Sequence, residues 1–475
     1  MRISYQRRRL ADFAAGLRIS RELIEMQRWP RERLRRHQLE RLDALVRHAE
    51  RRSPFYRERL AGRLGRGPAE LSSLPALTKA DMMEHYDELV TDPRLKRDEL
   101  LAWIETAQRD DHYRGEFRVM TTSGSSGRKG LFVYDRAAWR WFIAMFLRQS
   151  DTMGVTPRFP RRRRIAAVHG AAQAHQSRQI TTSVGVGAHR VITLPATMPV
   201  EQVVDRLNRF QPDALTGYPS VVSRLAEEQM AGRLSLSLST LVTSSELRTP
   251  EVTARIREAF AVDPYNLYAT TEGLWGAECE HHDGLHLFED VTLVENVDGD
   301  NRPVRAGQPG ARLLVTSLVN RVQPIIRLEL TDVMVLDDEP CACGRTLIRA
   351  RSIEGRSDDV LELDGRDGGP VSIQPLEFGL ITRDRDVAEF QVLQEGRGLR
   401  VRVVPRPGAG QALEDRLGTA LRARLAALGV QDPDVRVERV AGLPRTPGGK
   451  LQLVVADKSR VQGSASFIGS LAPGG

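Results

Sequence analysis

Apolar positions recur at helical spacing from the start of the chain, set among arginines. In "LERLDALVRHAERRSPFYRERL" they fall at three- and four-residue steps, which predicts helices over residues 1 to about 60. "LTKADMMEHYDEL" reads as a further helix start, with Thr78 as N-cap and Asp81 three residues on. From about 117 to 275 the pattern alternates between two periods. "RRIAAVHGA", "HRVITLP", "DALTGYP", "STLVTSS" and "DPYNLYA" read as short strands, and "VEQVVDRLNRF", "PSVVSRLAEEQMA" and "PEVTARIREAF" as the helices between them. That alternation is the signature of an α/β fold. Residues 285 to 350 are strand-rich, with "ARLLVTSLV" the clearest run. A smaller α+β unit follows: "GLRVRVVPRP", "LEDRLGTALRARLAALG", then "DVRVERVAG". The expected organisation is a large N-terminal domain over 1–354, with its helical segment at about 1–75, a small domain over 355–460 and a disordered tail over 461–475.

"TTSGSSGRKG", Thr121 to Gly130, interrupts this pattern with three glycines, five hydroxyl side chains and two cations. Such a run serves either as a polar surface loop or as a phosphate cradle, in which backbone N–H groups close on an anion. It is not a Walker A loop, because Lys129 is followed by Gly130. "FRVM" before it and "LFVY" after it read as strands, so it is a tight connection within a sheet, which favours the phosphate.

At 475 residues the chain can bury a large core and form two or more domains. No apolar run approaches the roughly 20 residues of a membrane helix, and the N-terminus lacks the apolar core of a signal peptide. Membrane insertion is not expected, and the expected location is the cytoplasm. Net charge is +8 and nearly all the cations are arginine, partly in "QRRRL", "RERLRRHQLERL" and "RFPRRRR". Aromatics are only 5% and no nucleic-acid recognition module appears, so a nucleic-acid partner is not expected. Attraction of anionic substrates is the simpler use of the field. The three cysteines, Cys279, Cys341 and Cys343, fit a reducing compartment. Three thiolates with the His286 imidazole make a closed structural zinc set. His281 and His282 are alternative fourth ligands, and three buried free thiols are the alternative to any metal.

Further segments follow the loop in a telling order: "YATTEG" at 268–273, "RLELTD" at 327–332, "GRSDDVL" at 355–361 and "LPRTPGGK" at 443–450. With "ECEHHDGLH" and "CACGR", over roughly residues 30 to 455, the chain resembles the adenylate-forming acyl-CoA synthetase superfamily. Within it the resemblance is to the phenylacetate-CoA ligase branch and its capsule-biosynthesis relatives. The resemblance implies ATP-dependent activation of a carboxylic acid through an acyl-adenylate, with transfer to coenzyme A. An alternative acceptor is an amine, and an alternative substrate is another oxyacid. A small-molecule acid is the expected partner, and the branch allows a homodimer.

The resemblance also assigns roles. Thr122, Ser123, Gly124, Ser125, Ser126, Gly127 and Arg128 would hold the outer phosphates. Glu272 would bind Mg²⁺ and Thr271 would donate to the α-phosphate. Tyr268 would stack on adenine, Asp332 would accept from the ribose hydroxyls, and Arg356 would reach ribose or phosphate. Lys450 would bridge the acid and the α-phosphate as the catalytic cation. Asp358 would be the hinge of a domain rotation between half-reactions. The acyl pocket is expected along "VHGAAQAHQSRQI", where His169, His175 and Arg178 either pair with a hydroxylated or charged acid or face solvent. Three departures stand out: Ala269 replaces the usual glycine, Leu328 to Thr331 differ from the branch pattern, and Arg128-Lys129-Gly130 replaces the common Lys-Pro.

Overall fold

The computed structural model describes residues 2–65, 67–107, 112–122, 130–155, 162–170, 176–185, 187, 189–446 and 448–457. The expectations for Ser123, Gly124, Ser125, Ser126, Gly127, Arg128, His175, the Arg178 side chain and the tail lie outside those residues.

Six helices come first: α1 (Arg2–Met26), α2 (Arg31–Arg52), α3 (Pro54–Arg59), α4 (Lys79–Glu84), α5 (Tyr86–Leu89) and α6 (Arg97–Thr106). The apolar stripe of α2 buries Leu34, Leu42, Leu45 and Val46. Its run ends at Ser53, whose hydroxyl caps α3 by accepting from the Tyr56 N–H, with Pro54 at the first helical position where no N–H is needed. Thr78 caps α4 by accepting from the Asp81 N–H at 3.0 Å, as its spacing predicts.

The hairpin β1 (Arg118–Thr121) and β2 (Leu131–Tyr134) carries the Gly/Ser loop at its tip. Then α7 (Arg136–Thr152) leads into the alternating segment: β3 (Arg164–His169), α8 (Gln176–Val184), β4 (Arg190–Pro195), α9 (Val200–Phe210), β5 (Ala214–Gly217), α10 (Pro219–Met230), β6 (Thr240–Ser244), α11 (Pro250–Phe260) and β7 (Tyr265–Ala269). Strands β8 (Trp275–Glu278) and β9 (Leu285–Leu287) follow, then β10 (Thr292–Val297), β11 (Arg312–Ser317), β12 (Leu328–Leu330), β13 (Asp332–Asp337) and β14 (Arg349–Arg356).

One nine-stranded sheet organises the large domain, in the order β13-β14-β9-β8-β7-β6-β5-β3-β4. From β4 to β7 neighbouring strands are parallel, the product of strand–helix–strand crossovers. From β7 to β13 they are antiparallel; short turns join β7 to β8 and β8 to β9, and β14 returns later in the chain to pair with β9. Apolar side chains of α9, α10 and α11 cover the parallel half, around Leu207, Val222, Leu225 and Ile256. Strands β10, β11 and β12 form a separate three-stranded sheet.

The C-terminal unit begins after a 3₁₀ turn at Ser357–Asp359, which contains Asp358. It holds a hairpin of β15 (Leu361–Asp364) and β16 (Pro370–Ile373), then β17 (Val387–Glu395), β18 (Gly398–Pro405), α12 (Leu413–Ala427), β19 (Val435–Arg439) and β20 (Val454–Val455). Its second sheet has the order β19-β18-β17-β20, with its own core around Phe378, Val392, Val401 and Leu421. Pairing in the large sheet runs on to Arg356, so the two units meet at 357–360.

Candidate active site

Loops leaving the C-terminal ends of the parallel strands converge on one cavity, the expected place for a ligand in an open α/β sheet. Its volume is about 1440 Å³. His169 ends β3, Tyr218 follows β5, Glu246 follows β6, and Tyr268 to Glu272 close β7; all line the cavity, with Asp332, Arg356 and Lys450.

The Gly/Ser loop is held at its neck. Thr122 and Gly130 exchange backbone and side-chain hydrogen bonds: the Thr122 N–H donates to the Gly130 carbonyl at 3.0 Å, and the Gly130 N–H to Thr122 Oγ1 at 2.9 Å. The outer edge of β2 is satisfied by two buried side-chain amides. Gln323 Oε1 accepts from the Val133 N–H at 2.7 Å and Gln323 Nε2 donates to the Leu131 carbonyl at 3.0 Å, while Asn320 Nδ2 donates to the Val133 carbonyl at 3.0 Å.

Asp332 and Arg356 are cross-strand partners at the edge of the sheet, with Arg356 Nε 3.7 Å from Asp332 Oδ1. The Tyr268 hydroxyl is buried, and burial with the nearby Asp332 and Glu272 carboxylates pushes its pKa well up, so it stays neutral. Glu272 is buried and meets Lys79 Nζ at 3.2 Å. Thr271 is fixed through its carbonyl, which accepts from the Tyr134 hydroxyl at 2.5 Å. Glu272 therefore fits a cation: a buried carboxylate on the cavity wall, already neutralised by an ammonium. One carboxylate is what a Mg²⁺ held mainly by phosphate and water requires.

Lys450 arrives from the C-terminal unit. Its ammonium lies 5.8 Å from the Tyr218 ring centroid. Burial and the Arg356 charge lower its pKa, while Glu246, Asp332 and Glu272 pull it back up. Glu246 fixes the loop that carries it. Its Oε1 accepts from the Leu451 N–H at 2.7 Å, and its Oε2 from the Ser220 N–H at 3.0 Å. Burial raises the pKa of Glu246, and those two amides offset part of the rise. Arg445 adds a bond to Ser220 Oγ at 3.0 Å and an ion pair with Glu389. A Cβ on Gly170 would sit 3.0 Å from the Gly448 carbonyl oxygen, so glycine lets the two units close tightly there. Beyond the cavity, Arg406 pairs with Glu227 and Arg383 with Glu251, each at 2.9 Å, across the same junction.

His169 is brought to the same place. Its Nε2 lies 3.1 Å from Thr216 Oγ1. Burial first, then the Lys450 charge, lower its pKa to about 4, so it is a neutral wall residue. Of the two readings open for it, solvent exposure is the one the structure does not support.

Away from the cavity, Cys279, His286, Cys341 and Cys343 gather with all ligand atoms within 4.8 Å of one another. Cys279 Sγ and Cys341 Sγ are 3.8 Å apart, and Cys343 Sγ is 3.3 Å from His286 Nε2. Zinc–thiolate bonds of about 2.3 Å in a tetrahedron put sulfurs about 3.8 Å apart, so the donor set fits zinc. His282 is drawn off by Glu278 at 3.3 Å and by the Tyr265 ring, which leaves His286 as the fourth member.

Lys79, Glu246 and Tyr218, which line the cavity, were not legible as site residues. Lys79 stands three residues before Met82 in an ordinary amphipathic helix start, and Glu246 sits in "SSEL" with no partner nearby in sequence. The scarcity of lysine was the one available signal for Lys79.

No protein-family model matches the chain. It is 28% identical over 397 residues to the phenylacetate-coenzyme A ligase of Thermus thermophilus, covering 79% of this chain and 81% of that protein. It is 21% identical to protein CapK of Staphylococcus aureus over 456 residues, 88% of each. Among solved structures it resembles 2-hydroxyisobutyryl-CoA ligase in its postadenylation state, with a TM-score of 0.72, 23% identity and 93% of each chain covered. The same ligase in its thioesterification state aligns with a TM-score of 0.59 over 93% of this chain. Fold, relatives and motif order together define an enzyme of the adenylate-forming superfamily. Within it the chain is similar to the phenylacetate-CoA ligases and to CapK.

Proposed function

We propose that the protein activates a carboxylic acid with ATP and transfers the acyl group to coenzyme A. The observation that carries this reading is the meeting of Lys450 with Glu246, Asp332 and Glu272 in one cavity. In the first half-reaction a carboxylate oxygen attacks the α-phosphorus, the bond to the β-phosphate oxygen breaks, and pyrophosphate leaves. Both reactants are anions, so the site must supply positive charge before they approach. Lys450 holds the acid and the α-phosphate together, and the buried ammonium is worth more there than in water. Tyr268 stacks on adenine, Asp332 accepts from the ribose, and Arg356, steadied by Asp332, reaches the same nucleotide. Thr271 donates to the α-phosphate, and the loop from Thr122 to Arg128 holds the outer phosphates. Mg²⁺, when bound with ATP, would neutralise those phosphates, with Glu272 as its protein ligand and Lys79, now paired with Glu272, as a further cation beside them.

In the second half-reaction the thiol sulfur attacks the acyl carbonyl and AMP leaves. Lys450 must withdraw to admit the thiol, and Asp358, in the turn between the two units, is the hinge we assign. The better match to the postadenylation than to the thioesterification arrangement supports reading this as the first-step state. We further assign a structural zinc to Cys279, His286, Cys341 and Cys343, with no open position for catalysis. Three thiolates kept reduced suit the cytoplasm.

Acid-dependent exchange of labelled pyrophosphate into ATP tests the first step, and a thioester formed only when coenzyme A is added tests the second. Exchange with no thioester would redirect the acyl group to another acceptor; no exchange with any acid would sink the reading.

A further inference from the structure

A site for one small ligand is about 300–1,000 Å³, so a cavity of about 1440 Å³ leaves room beyond the nucleotide. Part of its wall comes from a helix that precedes the motif-bearing residues. Phe13, Leu17 and Ile24 of α1 line the cavity, with Phe146 of α7, Val184 of α8 and Val191 of β4. Leu17 and Val191 are 38% and 40% exposed, so both leave aliphatic surface uncovered on a cavity wall. That surface is favourable to cover, at about 25 cal/mol per Å².

α1 is tied down rather than loosely appended. Asp12 accepts from Arg136 Nε and Arg140 Nε, both at 2.8 Å. Arg9 Nη2 donates to the Gly185 carbonyl at 2.6 Å, and Arg148 Nη1 to the Leu23 carbonyl at 3.4 Å. Gly16 brings the helix against Ile143, where a Cβ would come within 2.5 Å of Cγ2. Ser20, on the same wall, donates its hydroxyl to the Leu17 carbonyl at 2.9 Å and so makes no demand on a ligand.

We infer that α1 closes an acyl chamber, and that the acid it admits carries a medium or long alkyl chain. This rests on the proposed adenylation, which fixes the carboxylate end at Lys450. The chain then lies along Leu17 and Val191, which select it.

The test compares kcat/KM for pyrophosphate release across straight-chain acids from acetate to hexadecanoate and phenyl-substituted alkanoates. Each added methylene in an apolar pocket is worth about tenfold or more. The expected result is specificity that rises by about a hundredfold or more from acetate to the best chain. Leu17→Trp and Val191→Trp fill the chamber from two different elements, α1 and β4. Each lowers the ratio of dodecanoate to butyrate specificity by about tenfold or more. A preference for the shortest acids, or tryptophan variants that change all acids alike, would overturn the inference. If no acid releases pyrophosphate, the proposed function fails but the chamber is still read by calorimetry. Dodecanoate binding that Leu17→Trp weakens upholds it, and no binding to the wild-type protein overturns it.

Discussion

At the scale of single residues, Lys450 is held against its own solvation. Burial and Arg356 lower its pKa, so it loses its proton at a pH below the ordinary lysine value. In the proposed assignment Lys450 acts as the ammonium, so the rate of adenylation falls as pH rises through that pKa. We predict that the alkaline limb of kcat/KM, which reports the free enzyme, lies below about 10.4. In kcat the limb moves upward, because bound ATP stabilises the ammonium, and Lys450→Arg removes it. A limb unchanged in Lys450→Arg would assign the titration elsewhere. Lys450, Tyr268, Asp332 and Glu272 were legible as candidates that meet at one cavity, because each sits in a short motif whose order along the chain is itself information. Lys79 and Glu246 were not, because their meaning lies in contacts made across the fold: Lys79 with Glu272, 193 positions on, and Glu246 with Leu451, 205 positions on.

At the scale of elements, the alternating apolar runs named nearly every strand and helix of the parallel half; strand β3 carries a continuous apolar run from Ile165 to Val168. The switch to antiparallel pairing at β7 was hidden, since short β8 and β9 carry little pattern of their own. The cysteines were legible as a cluster, and the fold explains why they meet. Cys279 leaves β8, His286 sits in β9, and Cys341 and Cys343 lie in the connection from β13 to β14, whose first residue Arg349 pairs with His286. Zinc here would clip two turns of the antiparallel half together. We predict one zinc per chain by metal analysis, and a melting temperature lowered by about 5 °C or more on chelation. A metal-free protein with an unchanged melting temperature would leave three buried thiols as the account of this cluster.

At the scale of the whole molecule, the C-terminal unit is docked by polar contacts rather than by a shared core. Its core and that of the parallel half are separate clusters, and across the junction Glu246, Arg406, Arg383 and Arg445 are among those that make bonds. Such a junction can open without exposing much apolar surface, which suits the proposed release of Lys450 between steps. How the C-terminal unit docks was not legible in the sequence, because no local pattern encodes it. The measurement that bears most directly on this account compares the two half-reactions in Lys450→Ala. We expect acid-dependent pyrophosphate release to fall by about a hundredfold or more, while thioester formation from a supplied acyl-adenylate and coenzyme A stays near the wild-type rate. Equal loss in both steps, or undiminished pyrophosphate release, would contradict the assignment of Lys450 to the first step and the reading of this structure as the state poised for it.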